Sequence, residues 1–268
     1  MVPPSLAQTR HRAPMLVPPG IPPNRHGPEA RASPLRLPVG VRMIRCCTDG
    51  RCCSGGHTPE PLTLPHHLHQ GDLPDGVFDG AVSVAVDSET MGLGLGRDPL
   101  CVVQLRAAEG DAHLVQLGRP LYDAPNLKRL LTDPAVLKIF HFGRFDIAMF
   151  QRHLGVVTAP VYCTKIASKL ARTYTDRHGL KDVTRELLGV DISKAQQSSD
   201  WGAERLSPEQ LAYAASDVAN LHALKERLDG MLRREGRMAL AEACFAFLPH
   251  RAALDVAGWA ETDIFAHD

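Results

Sequence analysis

Asp87 and Glu89 stand one residue apart near the end of AVSVAVDSET, residues 81–90. Side chains two apart on an extended strand share a face. Carboxylates so placed repel each other and resist desolvation unless a cation lies between them. The pair points to a metal site, although D-x-E also ends ordinary solvated strands. Two further acids can join it. Asp146 opens a helical stretch, and Asp217 follows Tyr213 by four residues in another. Residues i and i+4 face the same way on a helix, so Tyr213 and Asp217 point to one place. Plainer readings exist for each. Asp146 suits a helix start through the dipole. Tyr213 suits a core position with its hydroxyl at the surface. Asp217 suits solvent, and His141 suits the core or the support of a ligand rather than hard-ion binding.

The elements that must position these residues follow from hydrophobic periodicity. Residues 81–87 carry Val at 82, 84 and 86 and precede Gly92, Gly94 and Gly96. That run reads as a strand buried on both faces, with its acids at the end. LHQGDLP suggests a short edge segment before it. VVQLRA (102–107) and HLVQL (113–117) read as two strands joined by a turn at 109–111. A helix is expected over 125–133, a strand over 136–141, and a helix over 145–154 ended by Gly155. A short strand at 161–162 and helices at 165–171 and 180–188 follow. Residues 193–201 are polar and irregular. Ser207-Pro208-Glu209-Gln210 is a capping box with proline at the first helical position. It opens one long helix expected to reach about Gly230, with a last helix near 233–247. Strands first, then strands alternating with helices, indicate an α/β domain with a mixed β-sheet flanked by helices.

Composition narrows the function classes. Thirty Lys and Arg balance thirty Asp and Glu, so the formal net charge is zero. A non-specific nucleic-acid coat or a charge-held membrane protein would be more basic. A catalyst that grips phosphate through metal ions needs no basic surface. No run approaches the ~18 apolar residues of a membrane span. Cys101, Cys163 and Cys244 are isolated in globular-looking sequence, which suits reduced thiols and a cytoplasmic setting.

Residues 1–65 differ from the rest. Prolines crowd them, arginine supplies most of the charge, and no apolar period survives. This Pro/Arg/Cys-rich head is read as disordered. A secretory signal is not expected. A transit peptide, upstream sequence read from an early start codon, and an interaction arm are the alternatives. Cys46, Cys47, Cys52 and Cys53, with His57, His66, His67 and His69, suggest zinc. Their spacing matches no C-x-x-C pair, so incidental cysteines are expected.

Here a resemblance enters. VDSETMGL, HFGRFDIAMF and SDWGAERLSPEQLAYAASDVANLHALKERL resemble, in order, the three exonuclease motifs of ribonuclease D. That family belongs to the 3′-to-5′ exonucleases with four metal-binding carboxylates. TKIASKLARTYTDRHGLKDVTRELLGVDISKAQQSSDW resembles the segment between its second and third motifs. The similarity covers roughly residues 66–235. It implies a ribonuclease H-like fold, an exonuclease domain at 66–235 and a helical tail at 236–268. Some relatives carry further nucleic-acid-binding domains, so a short single-domain member is expected. Asp87 and Glu89 match the acids of the first motif, Asp146 that of the second and Asp217 that of the third. Tyr213 matches the tyrosine subclass. The position that holds histidine in the other subclass is Ala212.

The resemblance implies hydrolysis of phosphodiester bonds from RNA 3′ ends, such as tRNA precursor tails, releasing nucleoside 5′-monophosphates. Two divalent cations, Mg²⁺ or Mn²⁺, would serve that chemistry, since hard oxygens favour these ions. Asp87 is expected to bridge both. Glu89 and Asp217 would complete one ion and Asp146 would hold the other. Tyr213, a poor bulk base at an ordinary pKa near ~10, is expected to orient the attacking water. Met91, Gly92 and Leu93 would receive the 3′ end, with Leu93 wedged against the last base. Arg172, Arg177, His178 and Lys181 are candidate phosphate contacts, or a solvated face. Trp201 is expected to pack a loop onto the domain rather than stack on a base. DNA is the rival substrate, since 2′-hydroxyl contacts are not visible in sequence. A decayed binding module is the rival class, and the presence of all four acids and the tyrosine argues against it.

Overall fold

The computed structural model describes residues 64–193 and 195–267. The expected disorder of the head and the zinc reading of its four cysteines and His57 fall outside them. Six strands form one mixed sheet. They are β1 (His66–Gln70), β2 (Ser83–Thr90), β3 (Leu100–Ala107), β4 (Ala112–Gln116), β5 (Leu137–Phe140) and β6 (Val161–Cys163). Their spatial order is β1-β4-β3-β2-β5-β6. The β1/β4, β2/β5 and β5/β6 pairs are parallel, and β2/β3 and β3/β4 are antiparallel. This is the mixed sheet the sequence predicts.

β2 lies inside the sheet. Val84, Ala85 and Val86 are successive and fully buried, so both of its faces are covered. The strand runs three residues past the expected end, carries both acids, and shifts register between Glu89 and Thr90. Beside it, β5 pairs Ser83 with Leu137 and Ala85 with Ile139. The carboxyl ends of these parallel neighbours therefore open on the same side. That is where α/β sheets collect ligands.

Helix α1 (Pro125–Thr132) has proline at its start and no side-chain cap of its own. Asp72 caps it from afar, accepting the amides of Asn126 at 2.8 Å and Leu127 at 2.9 Å. Helix α2 (Arg144–Met149) follows β5 through a three-residue turn and continues as a π-helical segment, Phe150–Leu154. Helices α3 (Thr164–Ala171) and α4 (Leu180–Leu188) follow β6.

The expected long helix is two. α5 (Pro208–Ala219) begins with the predicted capping box: Ser207 Oγ accepts from the Gln210 amide at 3.2 Å, and Gln210 Oε1 from the Ser207 amide at 2.9 Å. Asn220 (φ −110°, ψ −1°) is the cap shared by both helices, and α6 (Leu221–Arg234) starts beyond it. The break suits two destinations: α5 packs on the sheet, while α6 packs on α3 and α4. The last helix, α7 (Met238–Leu254), lies further along than expected, because Gly236 (φ 66°) ends α6. A π turn, Asp255–Trp259, closes it.

Among the histidines read as zinc candidates, His66, His67 and His69 belong to β1. They meet the Leu64 carbonyl, Asp111 and His113 respectively, at 3.1, 2.9 and 2.9 Å.

Candidate active site

Three elements deliver the acids. β2 brings Asp87 and Glu89, the first turn of α2 brings Asp146, and the buried side of α5 brings Asp217. One carboxylate oxygen from each of Asp87, Glu89 and Asp217 lies within 4.8 Å of the others. Asp146 is buried beside them and accepts a 2.5 Å hydrogen bond from Ser88 Oγ. All four line one cleft of about 620 Å³, together with Tyr213.

The electrostatics are those of buried carboxylates that repel one another. Burial, then repulsion by Asp146, Asp217 and Glu89, pushes the Asp87 carboxyl well above its ordinary value. Burial, then repulsion by Asp217 and Asp146, raises Glu89 to about 9. Burial raises Asp146 to about 7, against the opposing hydrogen bond from Ser88. Tyr213 is raised above the usual phenol range by burial, then by Asp217, Glu89 and Asp87. The charged neighbours acting on Asp87 and Glu89 are all carboxylates. Such a set is stable in its ionised form only around a cation. The donors are hard oxygens, so they fit a divalent ion of the Mg²⁺ or Mn²⁺ type.

Met91, Gly92 and Leu93 line the same cleft. Leu93 is 83 % exposed at its rim. Their loop is folded by Asp98, which accepts from the Gly94 amide at 2.8 Å and from Arg97 at 2.7 and 2.8 Å. Gly92 is required by crowding, since a Cβ there would collide with the Asp98 carboxylate. A Cβ on Gly202 would fall 2.6 Å from Met91 Sδ, so Met91 lies against bare backbone. Trp201, beside it in sequence, is buried with its ring 6.1 Å from Tyr213, as a packing residue.

The basic candidates divide. Lys181 lines the cleft. Arg177 is exposed and outside the cleft lining, and His178 Nδ1 is 2.9 Å from Ser168 Oγ. Arg172 corrects the expectation of a phosphate contact. It is fully buried, paired with Glu186, and donates to Ser168 Oγ at 2.9 Å and the Arg177 carbonyl at 2.8 Å. A buried guanidinium needs acceptors for its donors. Arg172 has found them within the fold and braces the 172–178 turn.

Sequence reasoning missed Ser88, Phe142 and Lys165. Lys165 lines the cleft with Nζ 4.1 Å from the centre of the Phe142 ring, a cation–π distance. Phe142 adopts φ 68°, a left-handed conformation unfavourable for a bulky residue. Gly143 follows because a Cβ would fall 2.6 Å from Phe140 Cβ. The pattern Phe-Gly after a strand was the available signal. His141, also in the cleft, bonds Thr164 Oγ1 at 2.9 Å through Nδ1.

Similar proteins place this geometry. Ribonuclease D of Granulibacter bethesdensis is 38% identical over 156 residues, 58% of this chain and 39% of that protein. The chain thus spans about two fifths of the curated relatives it matches. NrnC of Brucella melitensis, in a structure with bound Mg²⁺, is 54% identical with a TM-score of 0.74. The match covers 76% of this chain and 100% of that one. A second NrnC structure, bound to pGG, has 55% identity, the same TM-score and the same coverage. Escherichia coli RNase D, described as an exoribonuclease involved in structured RNA processing, shows 25% identity and a TM-score of 0.57. That match covers 64% of this chain and 45% of that one. The fold is of the ribonuclease H-like type these structures share. A family model described as 3′-5′ exonuclease matches residues 77–233, which is more than half of the chain. The chain belongs to that 3′-5′ exonuclease family.

Proposed function

We propose that this chain is a metal-dependent 3′-to-5′ exoribonuclease that releases nucleoside 5′-monophosphates from RNA 3′ ends, in a reducing, cytoplasmic setting. The observation that carries the reading is the convergence of Asp87, Glu89 and Asp217 within 4.8 Å, with Asp146 buried beside them. Two divalent cations, when bound, acidify the attacking water and neutralise the charge that grows on the leaving oxygen.

The protein's part is placement. In this reading Asp87 would contribute to both cations, Glu89 and Asp217 would help hold one, and Asp146 would help hold the other. Tyr213 keeps its proton, because burial and three carboxylates oppose its ionisation. Its hydroxyl orients the water rather than deprotonating it. Met91, Gly92 and Leu93 seat the terminal nucleotide, and Leu93 limits how far the last base can travel. Lys165 and Lys181, which line the same cleft, meet the backbone phosphates, and Phe142 offers a stacking surface. Residues 66–235 carry the nuclease motifs.

Very short RNA belongs in the substrate range, supported by the pGG that a similar structure holds. Structured RNA ends, including tRNA precursor tails, are the longer alternative. DNA is the second reading, favoured by 33% identity over 147 residues to DNA polymerase I of Aquifex aeolicus. The test is time-resolved digestion of 5′-labelled RNA bearing a 3′-hydroxyl or a 3′-phosphate, beside DNA of the same sequence. The expected result is a ladder that shortens from the 3′ end of the RNA, stops in chelator and resumes with Mg²⁺ or Mn²⁺. Cleavage within the chain, or full activity in chelator, overturns the reading. Faster loss of the DNA selects the second.

A further inference from the structure

Asp146 sits in the first turn of a helix that lacks the usual means of holding its start. α2 is six residues long before it turns π-helical, and its N-cap is Gly143, which has no side chain to cap with. What holds Arg144, the first residue of α2, comes from the other end of the chain. Arg144 Nε donates to Asp255 Oδ2 at 2.6 Å, and Nη2 donates to Asp255 Oδ1 at 2.8 Å. Nη2 also donates to the Ala260 carbonyl at 2.8 Å. Asp255 is buried, and Arg251, one turn earlier, approaches its Oδ1 at 2.8 Å.

A bidentate guanidinium–carboxylate pair fixes direction as well as distance. Arg144 is two residues from Asp146, so the fork sets how the first turn of α2 meets β2. Ser88 fixes the Asp146 carboxyl from the strand side. The acid is thus held between two anchors that belong to different parts of the sequence. The second lies beyond residue 233, where the family match ends.

We infer that Asp255 and Arg144 are positioning residues for the active site, and that the π turn after α7 sets the geometry of Asp146. This makes residues 238–260 part of the working enzyme rather than a tail. The inference rests on the proposed metal-dependent activity. It differs in that it concerns how one ligand is aimed, not whether the ligands bind.

The test uses the full chain and four variants: Arg144→Lys, Arg144→Gln, Asp255→Asn and Arg251→Gln. Mn²⁺ affinity is read by titration calorimetry, Mg²⁺ half-saturation and the kcat-against-KM split by RNA digestion, and folding by melting without metal. Supporting groups around a metal ligand typically contribute about 10–100-fold in affinity. Arg144→Gln and Asp255→Asn are each expected to weaken Mn²⁺ binding about tenfold, raise the Mg²⁺ requirement and lower kcat with little change in KM. Arg144→Lys, which keeps the charge but loses the fork, should fall between these and wild type. Arg251→Gln removes a second partner of Asp255 and of the Ala260 carbonyl but leaves the Arg144 fork itself, so its metal readouts should fall between those of wild type and Asp255→Asn.

A purely structural role would lower Tm without moving metal affinity measured well below the transition, and that result overturns the inference. A greater loss in Arg251→Gln than in Arg144→Gln also overturns it, since the fork would not be the cause. Should a glutamine or asparagine variant fail to fold, the Arg144→Lys comparison alone decides, by the same criterion. Should the wild type bind Mn²⁺ yet leave RNA intact, the proposed activity fails while the affinity comparison still judges the positioning role.

Discussion

Ser88 Oγ donates a 2.5 Å hydrogen bond to Oδ1 of Asp146, tying the strand that carries two acids to the helix that carries a third. Ser88 lies between Asp87 and Glu89, so simple alternation points it away from them. It reaches sideways, toward the end of the neighbouring strand β5, where α2 begins. Ser88→Ala should leave the fold intact and free the Asp146 carboxylate to swing. Rates should drop about tenfold, the low end for a supporting group, with a higher Mg²⁺ requirement. Parallel Mg²⁺ titrations of wild type and variant check this. Superimposable curves would show that the hydrogen bond does not aim the acid.

Asp217→Asn removes a cluster oxygen and keeps its shape. Turnover should fall by more than the ~100-fold that outer groups supply, because a direct ligand is lost. Metal-free stability should hold or rise, since one of several repelling carboxylates is gone. Single-turnover digestion and a chelator-treated melt read the two effects separately. A rate near wild type, or a collapsed melt, contradicts this assignment.

Tyr213→Phe deletes only the hydroxyl. The ring stays packed 6.1 Å from Trp201, so Tm should change little. If the hydroxyl orients water, kcat falls by about 10²-fold, the lower range for a positioned proton-handling group. KM should stay put. A fall in KM-linked binding with kcat preserved would make Tyr213 a substrate contact instead.

The raised carboxyls predict the pH behaviour of the metal-free protein. Asp146 at about 7 and Glu89 at about 9 compare with about 4 in an unfolded chain. The folded chain therefore holds more protons than the unfolded one across that interval. Their contribution to stability is complete below about pH 4 and is lost as pH rises through 7 and then 9. Tm measured in chelator should fall from pH 5 to 9, and saturating Mg²⁺ should flatten the fall. A profile equally steep with and without Mg²⁺ would place its origin elsewhere.

The sequence made the catalytic side of the molecule readable because the needed signals are local. Residues 81–87 announce a buried strand by their composition, and Ser207 to Gln210 announce a helix start by their spacing. The family resemblance then brings Asp146 and Asp217 to the same strand. What stayed hidden depends on partners distant in sequence. Arg172 looks like a surface cation until Glu186 and the 177 carbonyl surround it. Asp72 looks like a loop acid until it caps a helix more than fifty residues later. Lys165 is an ordinary helical lysine until the left-handed Phe142 places a ring beneath it. The Asn220 break hides because its neighbours are good helix formers and only the packing separates them.

Gly202 contributes no functional group, yet Met91 rests where its side chain would be. In the proposed reading, the doorway for the terminal nucleotide is therefore hinged against a wall with no spare thickness. Anything added to that wall would push the door itself, and if Met91 seats the RNA end as proposed, grip would be lost through a residue that never touches the substrate.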